Sequence, residues 1–211
     1  LLAWASAVVL AALVLLAFAP ALEAGFVDWD DGRNFVDNPH YRGFSGPNLA
    51  WMATSFHLGH YQPLAWLTLA FDHALHGLDP AGYHGTNVFL HAVGAVLFLG
   101  FARRLAAVLA PDLGAARSAL IAFGAAALFA LHPLRVESVA WITERRDVLS
   151  GCFFVLALDA WLRFRTNGRS AHRWLAFAWM LLSLLSKAWG VVLPALFLVL
   201  DALLATAPQG S

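Results

Sequence analysis

A chain of 211 residues that is 61% apolar and only 12% charged, with a mean hydropathy of +0.69, points to a bilayer rather than water as its main solvent. Formal net charge is zero, which argues against nucleic acid as a partner and against a polybasic lipid anchor. The single Cys152 excludes an internal disulfide, and nine tryptophans suit side chains that sit at headgroup level.

Residues 1–20 have the apolar core of a signal peptide, but they lack a basic leader and a convincing cleavage site, and further apolar spans follow. A retained membrane helix is the expectation. Crossing a bilayer takes about 20 predominantly apolar residues, and on that measure the sequence predicts helices at 2–22, 85–105, 117–132, 148–164, 173–188 and 189–206. Between the first two lies a polar and aromatic region, 23–84. Its segments "NLAWMATSF" and "PLAWLTLAFDHAL" have apolar residues at helical spacing interrupted by His, Gln and Pro, which fits interfacial helices.

Arginine placement sets the expected orientation. Arg103, Arg104 and Arg117 fall in one loop, and Arg163, Arg165, Arg169 and Arg173 in another, two spans away and so on the same side, the expected cytoplasm. The region 23–84 and the segment "HPLRVESVAWITERRD" (132–147) then share the opposite side. The fold class expected is an all-α integral membrane bundle of about six spans with a long first outer loop.

Four features carry chemistry. The stretch "FVDWDDGRNFVDNP" concentrates Asp28, Asp30, Asp31 and Asp37 just past the first span. A lone aspartate there is ordinarily solvated loop, but a cluster interleaved with Trp29 and Phe35 at the membrane border suggests more. Asp30 or Asp31 can serve as a general base, or the two together can hold a divalent cation. Next, "YHGTNVFLH" sets His84, Asn87 and His91 on one face of a membrane helix. Such polar groups point into the bundle, either as interhelical hydrogen bonds or as a site; the His/His spacing is a weak match for zinc.

The third feature, 132–147, carries His132, Arg135, Glu137, Glu144, Arg145, Arg146 and Asp147 on the side where basic residues are disfavoured. Mutual ion pairing explains them blandly. The sharper reading is a guanidinium grip on a lipid-borne phosphate. Lys187, near the end of the fifth span, either snorkels to the headgroups or adds a further cation beside the arginines. Carboxylate, cations and polar helix face together suit transfer of a group from a phospholipid-like donor to a hydroxyl.

The stretches "FVDWDDGRNFVDNPH", "YQPLAWLTLAFDHALHGLDPAGYHGTNVFLH", "LFALHPLRVESVAWITERRDVLS" and "LLSKAWGVVLPALFLVLD" resemble, in that order, the membrane O-mannosyltransferase-like proteins with tetratricopeptide repeats. The resemblance covers most of residues 26–201. It implies a glycosyltransferase of the GT-C class that uses a polyprenyl-phosphate-linked sugar on the extracytoplasmic side and acts on an acceptor protein. It further implies that the acidic pair is catalytic, with Asp31 favoured over Asp30 by a small margin. His132, Glu137, Arg145, Arg146, Asp147 and Lys187 are the implied site residues beside His84, Asn87 and His91. Vertebrate members carry Gly-Arg-Ala-Asp where this chain has Glu144-Arg145-Arg146-Asp147, a departure that points to a bacterial type in an inner membrane and leaves mannose specificity open. No 34-residue period is present. The expected organisation is thus a transmembrane module, 1–206, with a tail at 207–211 preceding further helices and a repeat domain. A non-catalytic membrane anchor for such a repeat domain is the alternative, and a transporter or channel fits less well, because the last two spans offer almost no polar path.

Overall fold

The structure, a computed structural model, describes residues 2–206 and the side chains from residue 4 onward; the tail at 207–211 lies outside the described residues. These residues form nine α-helices and no strand: α1 (Leu2–Phe18), α2 (Gly46–Thr54), α3 (Pro63–His76), α4 (Pro80–Leu109), α5 (Ala115–Leu131), α6 (Arg135–Ala140), α7 (Arg145–Asn167), α8 (Ser170–Ser186) and α9 (Leu193–Ala205). Three helical stretches, Trp4–Glu23, Pro80–Leu109 and Ala188–Thr206, are long and apolar enough to cross a membrane, and α5 is a shorter apolar helix. Their apolar side chains largely face outward: Trp4, Leu16, Leu120, Leu128 and Leu198 are all more than two-thirds exposed. A water-soluble domain would not display so much apolar surface, so the three stretches indicate membrane association.

The predicted helices recur as α1, α4, α5, α7, α8 and α9, with shifted ends that have local causes. α4 begins at Pro80 rather than 85 because Asp79 caps it, accepting from the Ala81 N–H at 3.1 Å, and proline suits the first turn. α7 begins at Arg145 rather than 148, which places both arginines and Asp147 in its first turn. Gly168, at φ +70°, closes α7 and lets α8 pack back as its hairpin partner. α8 and α9 are parted by a 3-10 turn, Ala188–Val192. Gly190 is required there, since a Cβ would lie 2.9 Å from the Leu184 side chain and 3.0 Å from the Met180 carbonyl oxygen.

α4 is central. Leu10, Val14 and Phe18 of α1 pack on Val88, Ala92, Ala95 and Leu99 of α4, against Ala122, Ala126 and Ala130 of α5. An alanine at every fourth position lets backbones approach closely. In hydrocarbon, where burial from water supplies no drive, such close packing is what holds helices together. A second core, of Phe35, Tyr41, Met52, Trp66, Leu69, Tyr83 and Ile142, joins the first loop to α2, α3 and the start of α4. This cap makes the region 23–84 a folded lid over one end of the bundle. A third, with Trp161 stacked on Phe197 at 4.5 Å, secures α7 and α8 to α9.

The two arginine-rich loops lie at the other end. There Arg104 and Arg163 both bind Asp159, and Arg165 pairs with Asp201 at 3.0 Å.

Candidate functional site

The acidic stretch ends in a single wide helical turn, Gly32–Val36, closed by the Asp37 N–H on the Gly32 carbonyl at 2.9 Å. That turn directs consecutive aspartates differently. Asp31 is fully buried, and its Oδ1 accepts from the Thr143 hydroxyl at 2.6 Å and the Thr143 N–H at 3.2 Å, while its Oδ2 accepts from the Val27 N–H at 2.9 Å. Asn34 donates to the same Thr143 hydroxyl at 2.9 Å, and Trp29 stacks on Trp141 at 5.4 Å. Asp30, by contrast, is half-buried and makes no side-chain hydrogen bond among the described residues. Three side chains thus lock the acidic loop onto 141–143, and of the adjacent pair only the Asp30 carboxylate is left free.

Immediately after Thr143 comes a cluster of four charges. Arg146 grips Glu144 through Nε at 3.1 Å and a terminal nitrogen at 2.6 Å. Lys187 bridges Glu144 at 2.7 Å and Asp147 at 2.6 Å. Asp147 also accepts from the Trp189 indole at 2.7 Å and from Ser138 at 3.0 Å. Lys187 reaches the cluster because the chain runs extended at that residue, between α8 and the 3-10 turn. Two cations balance two carboxylates, so the group is electrically closed as it stands. His60 adjoins it: partial burial, then the Arg146 guanidinium, hold its pKa below the ordinary histidine value, while Glu144 and Asp30 act the other way.

Arg145 turns to different partners from Arg146. It is fully buried, donating to Asp72 at 2.6 Å, to the Tyr83 carbonyl at 2.9 Å, to Thr68 at 3.4 Å and to the Asn87 carbonyl oxygen. Four of its five N–H groups are used internally. This arginine therefore ties α3, α4 and α7 together and has no face open to a phosphate.

The α4 polar face divides similarly. Asn87 donates to the Val139 and Trp141 carbonyls, at 3.2 Å each, and so carries the backbone that leads to Thr143. His91 contacts the Ala130 carbonyl at 2.8 Å, a helix-to-helix bond. His84 is fully buried, with neither ring nitrogen in a hydrogen bond. His132 and Glu137 are exposed; the His132 ring accepts from the Leu134 N–H at 3.2 Å and lines an apolar cleft with Phe18 and Pro20. The structure brings Asp30, Asp31, Glu144, Arg146, Asp147 and Lys187 to one end and leaves those two outside that group.

Sequence reasoning missed Thr143, Asp72 and His60. Asp72 carried a signal, as a lone carboxylate inside an apolar helix; Thr143 carried none.

A divalent cation fits this site poorly. Asp31 already receives three donors, and among the described residues no three His, Cys, Asp or Glu side chains converge to hold an ion.

No family model matches the chain, and no solved structure matches it. Among curated proteins it is similar to the protein O-mannosyl-transferase TMTC2 of Homo sapiens, 36% identical over 149 residues, covering 67% of this chain and 16% of that protein. The Xenopus laevis protein O-mannosyl-transferase tmtc2 is 33% identical over 207 residues, 90% of this chain and 23% of the relative. The Homo sapiens protein O-mannosyl-transferase TMTC4 is 32% identical over 231 residues, 95% of this chain and 29% of the relative. The chain therefore spans less than a third of each of these relatives.

Proposed function

This chain is related over most of its length to the protein O-mannosyl-transferases, and on that premise we propose that it is the membrane module of a glycosyltransferase. It moves a sugar, with mannose the first candidate, from a polyprenyl-phosphate donor to a protein hydroxyl. The module is GT-C-like, with α1, α4, α5, α7, α8 and α9 as six spans and the 23–84 lid and 132–147 on the extracytoplasmic face. It precedes a tetratricopeptide-repeat domain in a protein of bacterial type, seated in the inner membrane.

Asp30 is the general base in this reading, taking the proton of the acceptor hydroxyl as its oxygen bonds the sugar carbon. The bond from that carbon to the phosphate oxygen breaks, and Arg146 and Lys187 stabilise the charge left on the phosphate. Asp31 is a positioning residue. The observation that carries this division is the buried, three-donor state of Asp31 beside a free Asp30. Arg145, His84, Asn87 and His91 act as scaffold, and no step runs through a metal.

The test is transfer of labelled mannose from polyprenyl-phosphate mannose to an acceptor peptide by the full protein. Asp30→Asn is expected to lower turnover by about 10²–10⁴-fold, the usual worth of a general base, with helix content and melting unchanged. Wild-type turnover in Asp30→Asn would sink the reading. A non-catalytic anchor, the second reading, draws support from the internally balanced cluster of Glu144, Arg146, Asp147 and Lys187. It predicts that no variant at Asp30 alters anything but solubility.

A further inference from the structure

A cavity of about 370 Å³ opens between α4, α6, α7 and the turn at 188–192. Its inner wall is apolar, formed by Leu90, Gly94, Val148, Gly151 and Phe154. At its mouth stand Arg135, Ser138, Asp147 and Trp189, so the cavity meets the charged cluster through Asp147. Trp189, Val191 and Val192 beside the mouth are exposed, at 53%, 69% and 43%, so lipid reaches the opening laterally from the bilayer. Small-ligand pockets start at about 300 Å³, and this one takes part of a single chain rather than a pair.

Charge decides what kind of chain. Arg146 and Lys187 are matched by Glu144 and Asp147, and Arg145 is matched by Asp72. Arg135 differs: among the described residues no carboxylate pairs with it, and its guanidinium rests over the Phe129 ring at 4.5 Å, at the entrance. A planar guanidinium held by an aromatic face at the mouth of an apolar slot complements an anionic head on one hydrocarbon chain.

We propose that the cavity between α4, α6 and α7 binds the first isoprene units of an isoprenyl monophosphate, with Arg135 holding its phosphate. This rests on the donor class of the proposed function and adds to it the cavity and, among the three arginines of 132–147, the choice of Arg135. Seated there, the phosphate lies beside the Lys187–Asp147 pair. Arg135 supplies the positive charge that the closed cluster lacks, and Lys187 can exchange Asp147 for the phosphate oxygen.

Binding of farnesyl phosphate to the purified 211-residue chain, followed by native mass spectrometry, tests the assignment. Arg135→Gln is expected to weaken binding at least tenfold. Gly151→Leu is expected to abolish it: a Cβ at Gly151 meets nothing within 4 Å, so the new side chain enters open space and fills the cavity. Farnesol should bind more weakly than its phosphate, and inorganic phosphate should not compete. Arg169→Gln, in the loop at the other end, is the control. Circular-dichroism melts confirm that each variant is folded; should Gly151→Leu not be, Arg135→Gln decides. Wild-type affinity in a folded Arg135→Gln variant overturns the proposal. So does unchanged affinity in a folded Gly151→Leu variant.

Failure here and failure of the catalytic reading separate cleanly. Binding through Arg135 with normal transfer by Asp30→Asn keeps the cavity and removes the base. Loss of transfer in Asp30→Asn with unaltered farnesyl phosphate binding in both cavity variants does the reverse.

Discussion

The Thr143 hydroxyl and the Asp31 carboxylate meet at 2.6 Å across 112 residues of chain, and both are buried. One hydroxyl donates to the aspartate and accepts from Asn34, so a single side chain makes two of the contacts that hold the acidic loop beside Glu144 and Arg146.

Thr143→Val keeps the shape and removes that hydroxyl. It should destabilise the protein by about 1–3 kcal/mol, the cost of leaving buried polar partners unmet. Turnover should fall while KM for the acceptor changes little, because Asp30 is displaced rather than removed. Thr143→Ser should restore both. Thermal melts and steady-state kinetics check this, and a Val variant with native stability would show that the latch carries no load.

Arg145 and Asp72 form a buried pair, and removing one charge strands the other. Arg145→Met should cost about 3–5 kcal/mol. Adding Asp72→Leu should recover part of that loss, since the pair is then replaced by apolar packing. A double-mutant cycle by denaturant unfolding reads the coupling. Equal losses for the single and double variants would mean that Asp72 is satisfied elsewhere, by Thr86 among others, which donates to it at 2.7 Å.

Hydropathy located α1, α4 and α9 well because a segment that crosses lipid must be apolar almost throughout, and that requirement is written residue by residue. α7, which carries Arg145, Arg146, Asp147, Asp159, Arg163 and Arg165, is not apolar in that way. Hydropathy could not apportion neighbours. Arg145 and Arg146 sit about 100° apart on one helix and both are buried, and which of them is tied into the helix packing depends on Asp72, 73 residues away. The margin between Asp30 and Asp31 turned likewise on Thr143, a residue with no local mark. His84, Asn87 and His91 were legible as one inward face, yet only Asn87 reaches the backbone that carries the candidate site. Long-range partners, not local pattern, made these distinctions.

Gly190 permits the tight turn that returns the chain from α8 into α9 and keeps Lys187 at the cluster. Gly190→Ala forces a methyl group against Leu184 and the Met180 carbonyl. Overpacking of this kind costs about 1–3 kcal/mol. The variant should also become more sensitive to salt, as the Lys187 bridge to Glu144 and Asp147 loosens. Melting curves at low and high ionic strength test both effects, and an unchanged melting temperature would show that α8 yields without strain.

Acid should weaken the lid. His57 is held below its ordinary value of 6.5 by burial, with His40 adding to the effect and the Arg33 carbonyl opposing it. His73 is lowered by burial and then by the Arg42 guanidinium. Below pH 6.5 the unfolded chain binds protons at these positions that the folded lid refuses. Stability is therefore fully present above pH 6.5 and declines as pH falls toward the folded values. The melting temperature of the detergent-solubilised protein should be higher at pH 7.5 than at pH 5.5, and His57→Gln/His73→Gln should flatten that slope. The His57 Nε2 makes no hydrogen bond among the described residues, but its ring packs edge-on against Trp51 and Trp66, so the double variant should melt lower at every pH and the slope is what is compared. An equally steep slope in the double variant would move the pH response to other groups, with His60 beside Arg146 the next to replace.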